Sequence, residues 1–444
     1  VAQEVAYRTQ LQDRRRRIHA GVARGLLAIH GAAAPAHAAV LAHHFEEAGE
    51  RLEAARWHER AGRRIARSDP ADGARHCRAA ASLLADLPES PDTLTLGLSS
   101  RIALLEIGRL AGIPEQEAQD LFEEARAVAG RLGDQRGRAF LLTSYGRLRG
   151  LAGDMAGYLA CAQEAAVLAD ESDDATLSFE MSAVLAHAQL GAGQLRAARA
   201  TAEQALADLD RLPGLKEALG LSTAPTLCRV WWALATAHLG EMAEAQAALE
   251  TLLADETEGG FEALYGARSF LCEVLRLRGD LHGALTHGRR AVARAEERGN
   301  PLSRVEAAAF LGPVALAAGE VTTAAATLES ALHLARAKRT ALWYEPRLLA
   351  TLAEARQAAG DRSGAAALVS EARDLVDRGR GWRLAACDVE LARVRLLASE
   401  LVVDRAAVKS ALEALETLAV ELGADFFRRA AAIERARVAS VVPR

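Results

Sequence analysis

Apolar stretches along this chain read as short, each interrupted by an arginine or a glutamate. No alternating run of β-branched residues occurs, so almost no strand is predicted. What recurs is a turn: AGER at 48, AGDM at 152, GAGQ at 191, LGEM at 239, RGDL at 278, AAGE at 317 and AAGD at 358. From Gly153 through Gly193, Gly240, Gly279 and Gly319 to Gly360 the spacings are 40, 47, 39, 40 and 41 residues. A glycine followed by Asp, Glu or Gln suits a left-handed residue that ends one helix, then an acidic start to the next. A second set, Gly133, Gly299 and Gly379, falls about midway between members of the first. Each half-period leaves room for a helix of roughly 15–17 residues, about 25 Å long.

Small residues sit at fixed offsets from these glycines. Five residues after come Ala54, Ala198, Ala245, Ala284, Ala324 and Ala365, with Tyr158 the exception. Twelve after come Ala61, Ala165, Ala205, Ala291, Ala331 and Ala372, with Leu252 the exception. Seven before come Ala42, Gly146, Ala186, Ala233, Cys272, Gly312 and Ala353. Two antiparallel helices can cross closely only where side chains are this small. The pattern resembles the tetratricopeptide repeat, with a period near 40 rather than the usual 34. The resemblance implies an all-α fold, a solenoid of antiparallel helix pairs over residues 36–444. Weaker units around Gly62 and Gly112 bring the expectation to about eight or nine pairs. The interval after Gly193 is seven residues too long, which reads as a loop over about Leu212–Pro225. Pro313 lies inside a predicted helix and is expected to kink it.

Composition changes little in this picture. Half the chain is hydrophobic, only 4% is aromatic, and the net charge is -5, so no bulk attraction to nucleic acid or anionic membrane is expected. The five cysteines, Cys77, Cys161, Cys228, Cys272 and Cys387, stand alone and suit buried helix positions in a reducing cytoplasm. No 18-residue apolar run is read as a membrane span. No phosphate-binding loop, HExxH, GxSxG or dinucleotide-binding glycine pattern is present, so no catalytic, cofactor or metal residue is assigned. His43 and His44 are adjacent and point about 100° apart on a helix, which argues against one ion between them.

The remaining candidates are contacts. Solenoids of this kind bind peptides or small ligands on the concave side of their inner helices. The aromatic residues Trp231, Trp232, Tyr265, Trp343 and Tyr344 could anchor such a ligand or fill gaps between repeats. Adjacent Trp231 and Trp232 cannot share one core direction, so at least one is expected to be partly exposed. Arg14, Arg15, Arg16 and Arg17, followed by His19, form a basic run that suits an inter-domain or solvated face better than a nucleic-acid one.

The opening residues carry a second resemblance. Gln3, Glu4, Val5, Ala6 and Tyr7, then Arg14 to Arg17 and Ile18-His19, then LAHHFEEAG and AARWHERAG, resemble a junction in bacterial signalling proteins. There an AAA/STAND-type ATPase with a winged-helix segment leads into tetratricopeptide repeats, often behind a class III adenylate/guanylate cyclase. The resemblance implies that residues 1–35 follow an ATPase module absent from this sequence. It also implies that the chain is the non-catalytic, regulatory part of a longer protein. Partners would then be those upstream domains, another protein or a peptide. LuxR-type ATP-binding regulators share a similar junction, and a free-standing tetratricopeptide adaptor is the other alternative.

Overall fold

The computed structural model describes residues 12–66, 68–220, 222–254, 261–378, 381–400 and 404–441. The Gln3–Tyr7 motif and Gly379 lie outside them. Among the described residues there is no strand. The chain divides into two compact units, residues 1–148 and 149–444.

The first unit contains α1 (Gln12–His30), a 3-10 turn (Gly31–His37), α2 (Ala38–Ala48), α3 (Arg51–Ile65), α4 (Pro70–Ala85), α5 (Pro91–Ala111) and α6 (Glu115–Leu132). It also holds most of α7 (Gln135–Leu151), which runs across the division. The second contains α8 (Met155–Asp170), α9 (Ala175–Gly191), α10 (Leu195–Arg211), α11 (Leu215–Leu219), α12 (Ala224–His238), α13 (Met242–Ala254), α14 (Phe261–Arg278) and α15 (Leu281–Arg298). It continues with α16 (Pro301–Ala317), α17 (Val321–Lys338), a 3-10 turn (Leu342–Tyr344), α18 (Glu345–Ala358), α19 (Arg362–Asp377), α20 (Arg383–Ala398), α21 (Arg405–Leu422) and α22 (Asp425–Val441).

The seven glycines of the repeating turn all have positive φ, from 77° at Gly193 to 105° at Gly240. Only a residue without Cβ adopts this conformation at no steric cost. Where Asp follows, it caps the next helix: Asp154, Asp280 and Asp361 accept from the amides of Gly157, Gly283 and Gly364 at 3.0, 2.9 and 2.9 Å. The small residues occupy the crossings. Ala54, Ala198, Ala245, Ala284, Ala324 and Ala365 are fully buried, as are Ala42, Ala186, Ala233, Cys272 and Ala353. A Cβ added at Gly312 would lie 2.5 Å from Leu328 Cδ2. The closeness of α16 and α17 therefore depends on that missing side chain.

Two expectations are corrected. The excess around residues 212–225 is not all loop: it holds α11, whose Leu215 and Leu219 are buried beside Phe179, Leu209 and Cys228. Leu215 and Leu219 are four apart, so one helical turn puts both against the core. Residues 25–45 contain no Asp, Glu, Lys or Arg, and the surrounding segment reaches a mean hydropathy of 1.4 over 18 residues. That run was not interrupted as expected. It is broken by the 3-10 turn at Gly31–His37, leaving an 11-residue α2, shorter than the ~20 residues a spanning helix needs. Separately, Pro313 lies inside α16, which runs on to Ala317. Proline has no N–H, so the Ala309 carbonyl loses its usual partner without the helix ending.

Within the second unit the helix pairs pack in sequence order, and the array also meets itself. A Cβ at Gly153 would lie 2.5 Å from the Trp382 ring. One at Gly193 would lie 3.2 Å from Arg383 Cβ and 3.1 Å from Leu422, and one at Gly240 would lie 3.0 Å from Asp425. Turns of the early repeats thus rest on the starts of α20 and α22. One continuous core joins Leu195, Ala198 and Val230 to Cys387, Leu415, Leu422 and Phe427.

Candidate ligand-binding site on the inner helices

Three successive first helices in the second unit, α12, α14 and α16, each present an aromatic residue toward their neighbours. Trp231, Phe270 and Phe310 all stand nine residues before their turn glycines, Gly240, Gly279 and Gly319. Equal register on adjacent helices brings their rings together. Trp231 and Phe270 centroids are 5.4 Å apart, and Phe270 and Phe310 centroids are 5.3 Å apart, both edge to face. The line continues from Phe310 to Tyr344 at 5.6 Å and from Tyr344 to Trp343 at 5.8 Å. It closes on His187, which lies 5.7 Å from Trp343 and stacks on Trp231 at 4.1 Å. Tyr158 hydroxyl lies 2.9 Å from His187 Nδ1 and fixes that ring. Phe270 and Phe310 are buried, whereas His187, Trp231, Trp343 and Tyr344 are half-buried.

Charges lie beside the rings. Glu273 on α14 is 1% exposed. Its two carboxylate oxygens accept from Arg276 Nε at 2.8 Å and Nη2 at 2.9 Å, and Arg347 Nη2 lies 2.8 Å away. Burial alone would raise the Glu273 pKa, but the two guanidiniums hold it well below the usual carboxylate range. Burial likewise opposes the charge of Arg347, and Glu273 and Asp388 outweigh it. The Arg347 guanidinium lies over the Phe310 ring at 4.8 Å. Burial pushes Asp388 up to about 6 despite Arg347, with Glu273 adding to the rise. Burial pushes His238 down to about 4, with Arg347 and Arg276 adding to the fall. His238 is 2% exposed and its Nδ1 has no hydrogen-bond partner. Tyr344 donates to Glu306 Oε2 at 3.1 Å. Burial and then Glu306 raise the Tyr344 pKa well above the ordinary value, so the phenol stays a donor.

No family model matches the chain, and no curated protein matches its sequence. Solved structures do. A Rap protein complexed with competence and sporulation factor superposes with a TM-score of 0.57 at 16% identity, over 89% of this chain and 99% of that one. The Rap conjugation gene regulator of plasmid pLS20, in complex with the Phr* peptide, gives 0.54 at 13% identity, over 83% and 95%. The fold is a tetratricopeptide-like α-solenoid. A STAND protein with a tetratricopeptide sensor from Pyrococcus horikoshii is also similar, with a TM-score of 0.42 at 11% identity, over 83% of this chain and 53% of that one.

Of the aromatic candidates, the solenoid brings Trp231, Trp343 and Tyr344 into one ring circuit. Trp232 is half-buried and packs against the same two cores as Trp231. Both adjacent tryptophans are thus partly exposed. The side chain of Tyr265 lies outside the described residues. Sequence reasoning missed His187, Glu273, Arg347, Asp388 and Glu306. A signal existed for Glu273 and Asp388: each is a lone charge in a short apolar stretch, LCEVL and AACDV, whereas Arg347 shares EPRLL with Glu345.

In the first unit Arg14, Arg16 and Arg17 are exposed, Arg15 is half-buried, and His19 is 8% exposed. His19 Nδ1 lies 2.8 Å from His44 Nδ1, with the His43 ring 5.8 Å from His19. A second pair, 18 residues apart in sequence, lies in the same unit. His58 Nδ1 and His76 Nδ1 are 2.8 Å apart, and His58 Nε2 lies 3.0 Å from Glu46. Burial lowers the pKa of both His44 and His76, and the facing histidine lowers each further. Two imidazoles at this distance share one proton between them, so each pair holds together with at least one ring neutral.

Proposed function

We propose that the chain is a regulatory solenoid whose second unit receives a peptide on its inner helices. The observation that carries this is the half-open aromatic circuit of His187, Trp231, Trp343 and Tyr344, backed by the buried Glu273–Arg276–Arg347 network. Rigid aromatic rings give a flexible peptide large contact area at little entropic cost, and the buried ion pairs of Glu273 with Arg276 and Arg347 help hold them in register. The likeness in fold to two Rap solenoids, solved with a factor and with a peptide, supports the same reading. Binding would act by favouring one arrangement of the repeats over another, and so reach a partner.

The test is to pan a library of linear peptides on the full chain and measure the enriched ones against Trp343→Ala. A shared sequence motif and at least roughly tenfold weaker binding to the variant are expected. Absence of enrichment, or undiminished binding to Trp343→Ala, overturns the proposal.

The partner suggested by the junction is a signalling ATPase. We infer it from Gln3–Tyr7 with Arg14 to Arg17 and His19. The likenesses in fold lend no support to a cyclase link, which rests on the junction alone. The reading frame upstream of Val1 should encode a phosphate-binding loop with its lysine; a frame lacking one removes the ATPase.

A further inference from the structure

Basic residues are spread unevenly along the chain. Of its 54 Lys and Arg none falls within residues 150–195, where seven Asp or Glu do. That run forms α8 and α9, which together with α10 line a cavity of about 740 Å³. α9 packs against both α8 and α10, and its Ser178, Ser182 and Leu185 form the floor. Ala166 and Asp170 of α8 stand on one side, and Thr201, Gln204 and Asp208 of α10 on the other. His187 is about half a turn round α9 from the floor residues, so this groove and the ring circuit use opposite faces of that helix. We propose that the groove is a second docking site, which takes a basic segment of a partner protein carrying arginine or lysine interleaved with apolar side chains.

Charge selects the basic part. Among the described residues that line the groove there is no Lys or Arg, whereas Asp170, Asp173 and Asp208 are there. Asp170 and Asp173 are exposed, and neither forms an ion pair among the described residues. Asp208 is already engaged by Arg211 at 2.5 Å and contributes less. Both flanking helices end here, α8 at Asp170 and α10 at Arg211, and a helix C-terminus carries partial negative charge. The N-terminus of α9 competes little, because Asp174 caps it and accepts from the Thr176 and Leu177 amides at 3.0 and 3.1 Å. The apolar part comes from the over-long repeat. Its extra residues after Gly193 put Leu212 and Leu215 into the lining, although other pairs stack with spacings of 39–41 residues. Leu212 is 38% exposed, a large apolar side chain open to solvent in the same groove as the carboxylates. The volume falls in the range of about 300–1,000 Å³ usual for ligand sites. A basic, partly apolar segment neutralises the aspartates and covers the leucines; an acidic one is repelled.

The experiment follows fluorescence anisotropy of a fluorescein-labelled hexapeptide that alternates arginine and leucine, titrated with the full chain. Its counterpart has citrulline, uncharged and of the same shape, at each arginine. Saturable binding of the arginine peptide is expected, weakening as salt is added, with at least roughly fivefold weaker binding of the citrulline peptide. Asp170→Asn/Asp173→Asn should lose a similar factor, and so should Leu212→Arg, which puts a positive charge in the lining. Glu296→Gln/Glu297→Gln removes the same charge from an exposed stretch of α15 and should bind as the native chain does. No saturable binding, equal binding of the two peptides, full affinity in both groove variants, or an equal loss in the α15 variant each overturn the proposal. If spermine displaces the peptide at equal concentration, the occupant is a small polyamine and the partner segment falls. Trp343→Ala separates this inference from the inner-helix reading. Unchanged binding of the arginine peptide there is expected. A loss confined to that variant would move the basic segment to the ring circuit and overturn the groove.

Discussion

At the level of single residues, the small side chains were legible and the buried charges were not. A crossing that excludes bulk leaves its mark on every repeat, so Gly312 aligns with Ala186, Ala233 and Ala353 on inspection. Gly312→Val would drive its new methyl groups into Leu328, and overpacking of this kind costs about 1–3 kcal/mol. Urea denaturation should show the midpoint fall by the corresponding amount. Glu273 and Asp388 stand out only as lone charges in apolar stretches and Arg347 not even as that, so their roles are revealed by their contacts. Asp388 makes a prediction of opposite sign. Its folded pKa, raised to about 6 from 3.8, means the fold favours the neutral acid. That preference is fully present below 3.8 and is lost as pH rises through 6, where the half-buried carboxylate must ionise. Asp388→Asn should therefore melt higher than the native chain at pH 7.5, with the gain vanishing toward pH 4. A variant that is less stable at pH 7.5 would show that pairing with Arg347 outweighs burial.

Among the helices and turns, the seven repeating glycines located their own joints. The pattern left out Gly423, and it left out joints that glycine does not make. Gly299 closes α15, Gly423 closes α21, and both have positive φ. The equivalent residue after α17 is Arg339, twenty positions past Gly319 just as Gly299 is twenty past Gly279, and its φ is 48°. A side chain in this left-handed region costs about 1–2 kcal/mol. Ala341, two residues on, also has positive φ, at 55°. These two residues bend the chain so that Trp343 and Tyr344 enter the ring circuit instead of continuing α17. Arg339→Gly keeps the bend and relieves the strain, so it should raise stability by roughly 1 kcal/mol, less the entropy that glycine gives the unfolded chain. A thermal melt checks it, and a lower midpoint would mean that the arginine side chain contributes more than its backbone costs. α11 escaped the sequence for a related reason: five residues show no period, and Leu215 and Leu219 become meaningful only against the α9–α12 core.

Over the whole of the second unit, the feature that sets this solenoid apart is its contact with itself. In a simple repeat array each repeat touches only its neighbours, and stability is a sum of local terms. Here Trp382, 8% exposed, packs against Met155, Tyr158, Val184 and Ala188 from helices more than 190 residues earlier. No periodic reading of the sequence predicts such a pairing, since it depends on how many repeats complete a turn and not on what any one contains. Those same helices carry the Tyr158–His187 end of the aromatic circuit. Trp382→Ala should therefore open the seam while leaving each helix pair intact. Removing a buried tryptophan costs about 3–5 kcal/mol, but the cost falls on a joint between distant repeats. Far-UV circular dichroism should be nearly unchanged. Spin labels at Glu203→Cys and Arg429→Cys, exposed positions on α10 and α22, should report a longer and broader distance distribution in Trp382→Ala than in the native background. The five natural cysteines are buried, and burial raises the thiol pKa to about 12 at Cys77, Cys228 and Cys272, so they should stay unlabelled. If the distances do not change, the seam is held by the Gly193 and Gly240 contacts alone. If they lengthen and a library peptide restores the native distribution, ligand binding and closure of the solenoid are one equilibrium, because a ligand shifts a conformational balance only by the difference in its affinity for the two states.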